Sequence, residues 1–263
     1  MSLALITLSE EGLSIAERLK SGLGEDAELF VSERLYHEMP HAKPFSGGIR
    51  ELVDEIFDKD EYNGLVFIMA LGIVVRAIAP HVKDKLSDPA VVVVDGSGRY
   101  AVSVLSGHEG GANELALKVA NAIHCEAVIT TGTEAKKDII IGLGCKADVS
   151  SEAVREAILA GLGLCHLPLE RVRLAATIEE RARVPGLIEG VRGLGIPLKV
   201  ISKEEINACS REYGKSEFVR EKIGVWGVCE PAALLAGRKT ELILKKQKSP
   251  GVTVAIAREN LMW

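Results

Sequence analysis

Short apolar runs alternate with longer amphipathic stretches along the whole chain, the rhythm of an α/β protein. SLALITL, near the start, reads as a buried strand. SEEGLSIAERLKSGLG follows as a helix, with Ser9 as N-cap, Glu10 and Glu11 in its first turn, and Gly22 or Gly24 as its stop. HEMPHAKPFSGG reads as a proline- and glycine-rich loop, and IRELVDEIFDKD as a second amphipathic helix. GLVFIMAL is a continuous apolar strand, after which GIVVRAIAPHVKDK begins as a helix. AVVVVDGSGRYAVSVL sets two β-rich runs around the turn DGSGR, the pattern of a hairpin. LSGHEGGANELA then leads into a helix running to about Ile123, and AVITTG closes the first half.

The second half opens on DIIIGLGC, and the helix SSEAVREAILAGLG follows, with Ser150 as N-cap. RVRLAATI is a strand, PGLIEGVRGLG a helix with Pro185 near N1, and PLKVIS a strand. KEEINA and SEFVREKIG are shorter helical pieces. CEPAALLAG is a short helix with Pro231 in its first turn and Gly237 as its stop. TELILKKQKSPGVTVAIARE reads as two strands joined at SPG. Strands alternating with helices, plus local hairpins, predict two three-layer-like α/β domains with mixed sheets, residues 1–137 and 138–263.

Composition narrows the function class. The net charge of −5 divides into −8 over residues 1–137 and +3 over 138–263, which argues against general nucleic-acid binding. It leaves room for a local basic site that receives an anionic small molecule. No apolar run approaches the ~18–20 residues that span a bilayer, and the start lacks the basic region of a secretory signal. Cys125, Cys145, Cys165, Cys209 and Cys229 are scattered without a C-x-x-C spacing, which argues against a disulfide framework or a zinc knuckle and for a reducing cytoplasm.

Candidate chemistry gathers at three places. In the LSGHEGGANELA loop, Gly107, Gly110 and Gly111 allow positive φ or close approach to a ligand, beside Ser106 and Asn113. His108 can serve as a general base or acid, because an imidazole both takes up and gives up a proton, and Glu109 can bind a ligand or orient that histidine. The free N–H groups of the Ala112–Asn113 helix start would favour an anion. The plain alternative is a strand-to-helix turn with a solvated histidine. In ALGIVVRAIAP, Gly72 ends a strand and Arg76 could clamp a carboxylate at the carboxyl edge of the sheet, against the plain alternative of an arginine lying along its helix. Lys83 and Lys85 would add to such a site, and Asp84 and Asp88 would dilute it.

In IGLGCKADVSSEA, Gly142-x-Gly144-x-x-Ala147 imitates a dinucleotide fingerprint. The helix cap falls at Ser150 and no acid ends a second strand, so nicotinamide and flavin are rejected. A glycine turn receiving a carboxylate, with Lys146 beside it, stays open. Cys145 reads as a small residue in that turn, and Glu230 as a helix cap or a ligand contact.

Taken together, ALGIVVRAIAP, DKLSDPAVVVVDGSGRYAVSVLSGHEGGANELA, VITTGTEA, IGLGCKADVSSEAV and VCEPAALLA resemble the CbiG family, the cobalt-precorrin-5A hydrolases of anaerobic cobalamin biosynthesis. The resemblance spans nearly the whole chain. Residues from Asp138 onward are also similar to a small stand-alone protein of the aerobic pathway. One departure is visible: family members carry a middle segment, whereas here TTGTEAKK runs directly into DIIIGLGC.

The resemblance implies a polycarboxylated corrinoid substrate whose δ-lactone is opened by water with release of acetaldehyde, giving cobalt-precorrin-5B. It implies no cofactor and no protein metal site, because the cobalt belongs to the substrate. His108 would activate the water and Glu109 would assist. Gly72, Arg76, Ser106, Gly107, Gly110, Gly111, Asn113, Gly142, Gly144, Cys145, Lys146 and Glu230 would bind substrate. Hand-over to other enzymes of the pathway is expected, with neither nucleic acid nor membrane as partner, and homo-oligomer assembly is left open. Two rival readings remain: a non-catalytic carrier of corrinoid intermediates, and an α/β enzyme for a phosphorylated metabolite.

Overall fold

The structure is a computed structural model describing residues 2–24 and 27–260. The described residues up to 131 form one compact unit and those from 132 onward another.

The first unit runs β1 (Leu3–Thr7), α1 (Glu10–Leu23), β2 (Ala27–Ser32), β3 (Lys43–Phe45), α2 (Ile49–Lys59), β4 (Gly64–Ile68), α3 (Leu71–Ile78), β5 (Ala90–Val94), β6 (Tyr100–Leu105), α4 (Ala112–Ile123) and β7 (Glu126–Val128). Its seven strands order as β3-β2-β1-β4-β5-β6-β7. The first five are parallel, β6 runs antiparallel to β5, and β7 is parallel to β6.

Alternate residues of the central strands face opposite layers. Leu3, Leu5, Val66, Ile68, Val92 and Val94 pack under α1 and α4. Ala4, Ile6, Leu65, Phe67, Val91 and Val93 pack under α2 and α3. Burial on both faces is why these strands read as unbroken apolar runs rather than alternating ones. Ser9 caps α1 by accepting from the Gly12 amide at 3.3 Å, and Gly24 ends it at φ 100.

Two strands depart from the sequence pattern. AELFVS alternates buried and half-buried positions as β2. KPF, inside the segment read as a loop, pairs with Phe30–Ser32 as β3. Its Pro44 is tolerated because β3 is an edge strand, where a missing amide breaks no ladder.

The second unit runs β8 (Ile139–Cys145), α5 (Ser151–Leu164), β9 (Val172–Ile178), α6 (Pro185–Gly193), β10 (Leu198–Ile201), α7 (Lys203–Ala208), α8 (Glu217–Ile223), α9 (Cys229–Leu235), β11 (Thr240–Ser249) and β12 (Val252–Glu259). The sheet order is β10-β9-β8-β12-β11. Strands β8, β9 and β10 are parallel, and the terminal hairpin β11–β12 joins antiparallel through β12.

Val154, Ile158, Leu187 and Val191 of α5 and α6 cover one face. Ile206, Ala232, Ala233 and Ala236, from α7 and from α9 with its C-cap, cover the other. Both units are therefore three-layered, with mixed sheets. Among the described residues, no helix is long and apolar enough to cross a membrane.

Candidate functional site

The antiparallel turn of β6 decides where the sequence-predicted residues of the first unit lie. Val94 pairs with Ala101 and Val91 with Leu105, so β6 ends beside the amino ends of β4 and β5. The Ser106–Gly111 loop therefore sits at the amino edge of the parallel strands. Gly72 lies at the carboxyl edge, just after β4, and the exposed Arg76 folds back over it: Nη1 would stand 3.4 Å from a Cβ placed on Gly72. Arg76 and His108 thus belong to opposite edges of one sheet. The carboxylate clamp expected at Arg76 does not share an edge with the histidine loop.

The histidine loop is held from within. Ser106 takes a left-handed backbone, φ 56, which costs a non-glycine residue energy and persists only where its surroundings enforce it. Its hydroxyl is buried and has no hydrogen-bond partner among the described residues. Gly110 presses against it, since a Cβ there would come within 2.3 Å of the Ser106 Cβ. The amide of Ala112 donates to the Ser106 carbonyl at 3.2 Å, and that of Asn113 to the Gly107 carbonyl at 2.9 Å.

The helix start is therefore not the open anion site expected from sequence, because the loop's own carbonyls take its first two amides. Asn113 is buried and bridges two hydroxyls: Ser103 donates to its Oδ1 at 2.9 Å, and its Nδ2 donates to Thr131 at 3.0 Å. Its side chain serves the loop's architecture.

His108 and Glu109 stand exposed on this frame. Lys85 Nζ donates to Glu109 Oε1 at 2.7 Å, so the Glu109 carboxylate is turned to that lysine rather than to the imidazole. The Lys85 hydrogen bond holds the Glu109 carboxyl below the usual carboxylate range. Buried Asp88 accepts from the amides of Lys83 and Asp84, which fixes the loop that presents Lys85.

In the second unit, the sequence-predicted glycine turn is strand. β8 continues through Cys145, and Gly142 is buried mid-strand, opposite Ala255 of β12. A Cβ on Gly142 would sit 1.7 Å from the Cys229 carbonyl oxygen, so the glycine is needed for α9 to pack and no ligand reaches it. The expectation that Gly142 binds substrate is corrected on that ground.

Gly144, Cys145, Lys146 and Glu230 do come together, on the wall of a cleft of about 700 Å³. Glu230 is 5% exposed. It accepts from the amides of Gly214 at 2.5 Å and Lys246 at 2.7 Å. It thus ties the loop before α8 to β11 instead of capping its own helix. Burial pushes the Cys145 thiol up to about 11, against the opposing pull of Arg181.

The cleft also contains residues that sequence reasoning missed: Arg181, Phe218, Lys222, Lys246 and Lys248. Only the Lys246-x-Lys248 spacing on a strand gave a signal, since alternate strand residues tend to share a face. Arg181 and Phe218 arrive through tertiary folding alone. Among the described residues, no group of three or more His, Cys, Asp or Glu could hold a metal ion.

Comparison with known proteins places the chain. Residues 51–134 match the family model described as Cobalamin synthesis G N-terminal, and residues 139–257 match Cobalamin synthesis G C-terminus. A cobalt-precorrin-5A hydrolase of Salmonella typhimurium is 43% identical over 97% of each chain. One of Priestia megaterium is 27% identical over 97% of this chain and 94% of its own. The Salmonella alignment runs over 347 positions, more than the 263 residues here, so that relative carries residues without counterpart in this chain.

Among solved structures, CobE of the cobalamin pathway is 25% identical, covering 46% of this chain and 89% of its own at a TM-score of 0.43. A cobalamin biosynthesis protein G homolog from Sulfolobus solfataricus is 20% identical, covering 98% and 97% at a TM-score of 0.38. With both family segments present in order and a 43% identical relative spanned almost end to end, the chain belongs to the CbiG family.

Proposed function

We propose that the chain is a cobalt-precorrin-5A hydrolase of anaerobic cobalamin biosynthesis, acting in the cytoplasm and passing its product to later enzymes of that pathway. The observation that carries the reading is the 43% identity, over 97% of each chain, to the Salmonella relative of that name.

In the proposed reaction, His108 takes a proton from water as the water oxygen adds to the lactone carbonyl. The acyl C–O bond breaks, leaving a carboxylate on the macrocycle and an alkoxide on the extruded carbon. The alkoxide electrons then form a C=O bond as the C–C bond to the ring breaks; the electron pair of that bond takes up, on the macrocycle, the proton that His108 accepted, while the new carboxyl group releases its own proton to solvent. Acetaldehyde leaves. Glu109, the next residue, is assigned an assisting role, its carboxylate paired with Lys85 at 2.7 Å. The cobalt arrives with the substrate, and the proposed reaction needs no resident metal or organic cofactor.

Incubation of the protein with cobalt-precorrin-5A tests the reading directly. Stoichiometric acetaldehyde and a product of the mass of cobalt-precorrin-5B are expected. A second reading, a carrier of corrinoid intermediates, is favoured by the join between residues 134 and 139, where the two family segments adjoin. Tight binding of cobalt-precorrin-5A with no acetaldehyde would decide for the carrier.

A further inference from the structure

We propose that the cleft of the second unit is the seat of a polycarboxylated tetrapyrrole, with Phe218 stacking on the conjugated face and the surrounding cations pairing the side-chain carboxylates. The inference rests on the hydrolase reading and deepens it by naming the residues that recognise the substrate class.

The charge of the cleft points to an anion. Lys146, Arg181, Lys222, Lys246 and Lys248 all line it, and Glu230 is its one carboxylate. That carboxylate is buried and already accepts two backbone amides, so it is not free to pair with them. Among the described residues, no ion pair engages any of the five cations. Five like charges gathered in one concave site, with a single buried carboxylate among them, raise the local concentration of an anionic ligand. The cations come from four places: the end of β8, the segment after β9, α8 and β11. A ligand with carboxylates spread around its periphery uses such an arrangement better than a single small anion does. A volume of about 700 Å³ also exceeds what one phosphate or carboxylate would fill.

The second observation concerns α8. This helix buries none of its residues, and Phe218 is 64% exposed on the cleft wall. The neighbouring aromatic, Trp226, is already covered, by Arg220 at 4.2 Å and Lys215 at 5.6 Å from its ring centroid. Phe218 likewise carries a cation, Lys222 one turn on, 4.8 Å from its centroid, but stays far more exposed on the cleft wall. One helical turn therefore puts an exposed aromatic ring and a cation within reach of each other on the cleft wall. A planar conjugated ring bearing carboxylates matches both.

Titration of the full-length protein with cobyrinic acid, a cobalt corrin with free carboxylates, and with its fully amidated counterpart tests the seat. The acid is expected to bind at least about tenfold tighter, with an advantage that shrinks as salt rises. Phe218→Ala should weaken binding about tenfold and Phe218→Tyr should restore it. The pair Lys222→Glu and Lys248→Glu should abolish the preference for the acid. All three side chains are exposed, so circular dichroism and the melting temperature should not move.

Equal binding of acid and amide, no binding of the acid, or a charge-reversed pair within about twofold of the parent would overturn the seat. The hydrolase reading fails separately. Cleft-dependent binding without acetaldehyde release overturns the hydrolase and keeps the seat, whereas acetaldehyde release unaffected by the cleft variants does the reverse.

Discussion

His108 is exposed, while Ser106, Gly110 and Asn113 around it are fixed by close packing and hydrogen bonds. An exposed imidazole on a packed, hydrogen-bonded frame is a workable arrangement for general-base chemistry, because a preorganised frame does not have to reorganise during reaction. His108→Ala is expected to lower acetaldehyde release by roughly 10²–10⁴-fold with the fold unchanged. Release within a few-fold of the parent would remove the assigned role.

Cys145 gives the opposite expectation. Burial lifts its thiol from 9.0 to about 11, and a raised thiol pKa means the protonated form persists until the pH approaches that value. At pH 8 the reactive thiolate is then about 100-fold scarcer than for an ordinary thiol. Iodoacetamide labelling followed by peptide mass spectrometry should show Cys145 lagging by about that factor. Labelling at the rate of an exposed thiol would reopen Cys145 as a nucleophile.

At the scale of elements, the packing of α9 on β8 depends on one missing methyl group. Gly142→Ala would drive a Cβ into the Cys229 carbonyl, a backbone atom that cannot swing aside. A loss of at least about 2 kcal/mol is expected. Gly163, near the end of α5, makes a matched control, since nothing lies within 4 Å of a Cβ placed there. Gly163→Ala should stabilise by about 0.5 kcal/mol through the higher helix propensity of alanine. Urea denaturation of the two variants measures both, and similar effects of the same sign would show that the close approach at Gly142 had been misread.

The strand-to-helix boundaries behind this packing were legible, since Ser9, Ser150 and Pro185 sit where their chemistry predicts. That Gly142 belonged to the strand was not legible. A glycine within IGLGC carries no local mark separating a turn from a close approach by a helix far along the chain.

Among the described residues, each sheet is covered by an apolar core cluster on both of its faces. Each unit is large enough to bury a core of its own, so residues 1–131 and 132–263 expressed separately should each unfold cooperatively. Circular dichroism melts would check this, and a fragment without a sharp transition would show that the units need each other. By itself, the sequence determined the alternation of elements, both mixed sheets and the family, because apolar period, capping residues and contiguous motifs are local properties of the chain. It also supplied the hairpin at DGSGR, which turns β6 against β5. The consequence appeared only once β4 and β5 were seen to pair in parallel: the histidine loop and Arg76 lie at opposite edges. The cleft likewise exists only after β12 inserts beside β8 and brings β11 with it. Its cations come from segments up to about a hundred residues apart in sequence. No local pattern encodes which distant side chains will face one space, and that choice belongs to long-range strand pairing and helix packing.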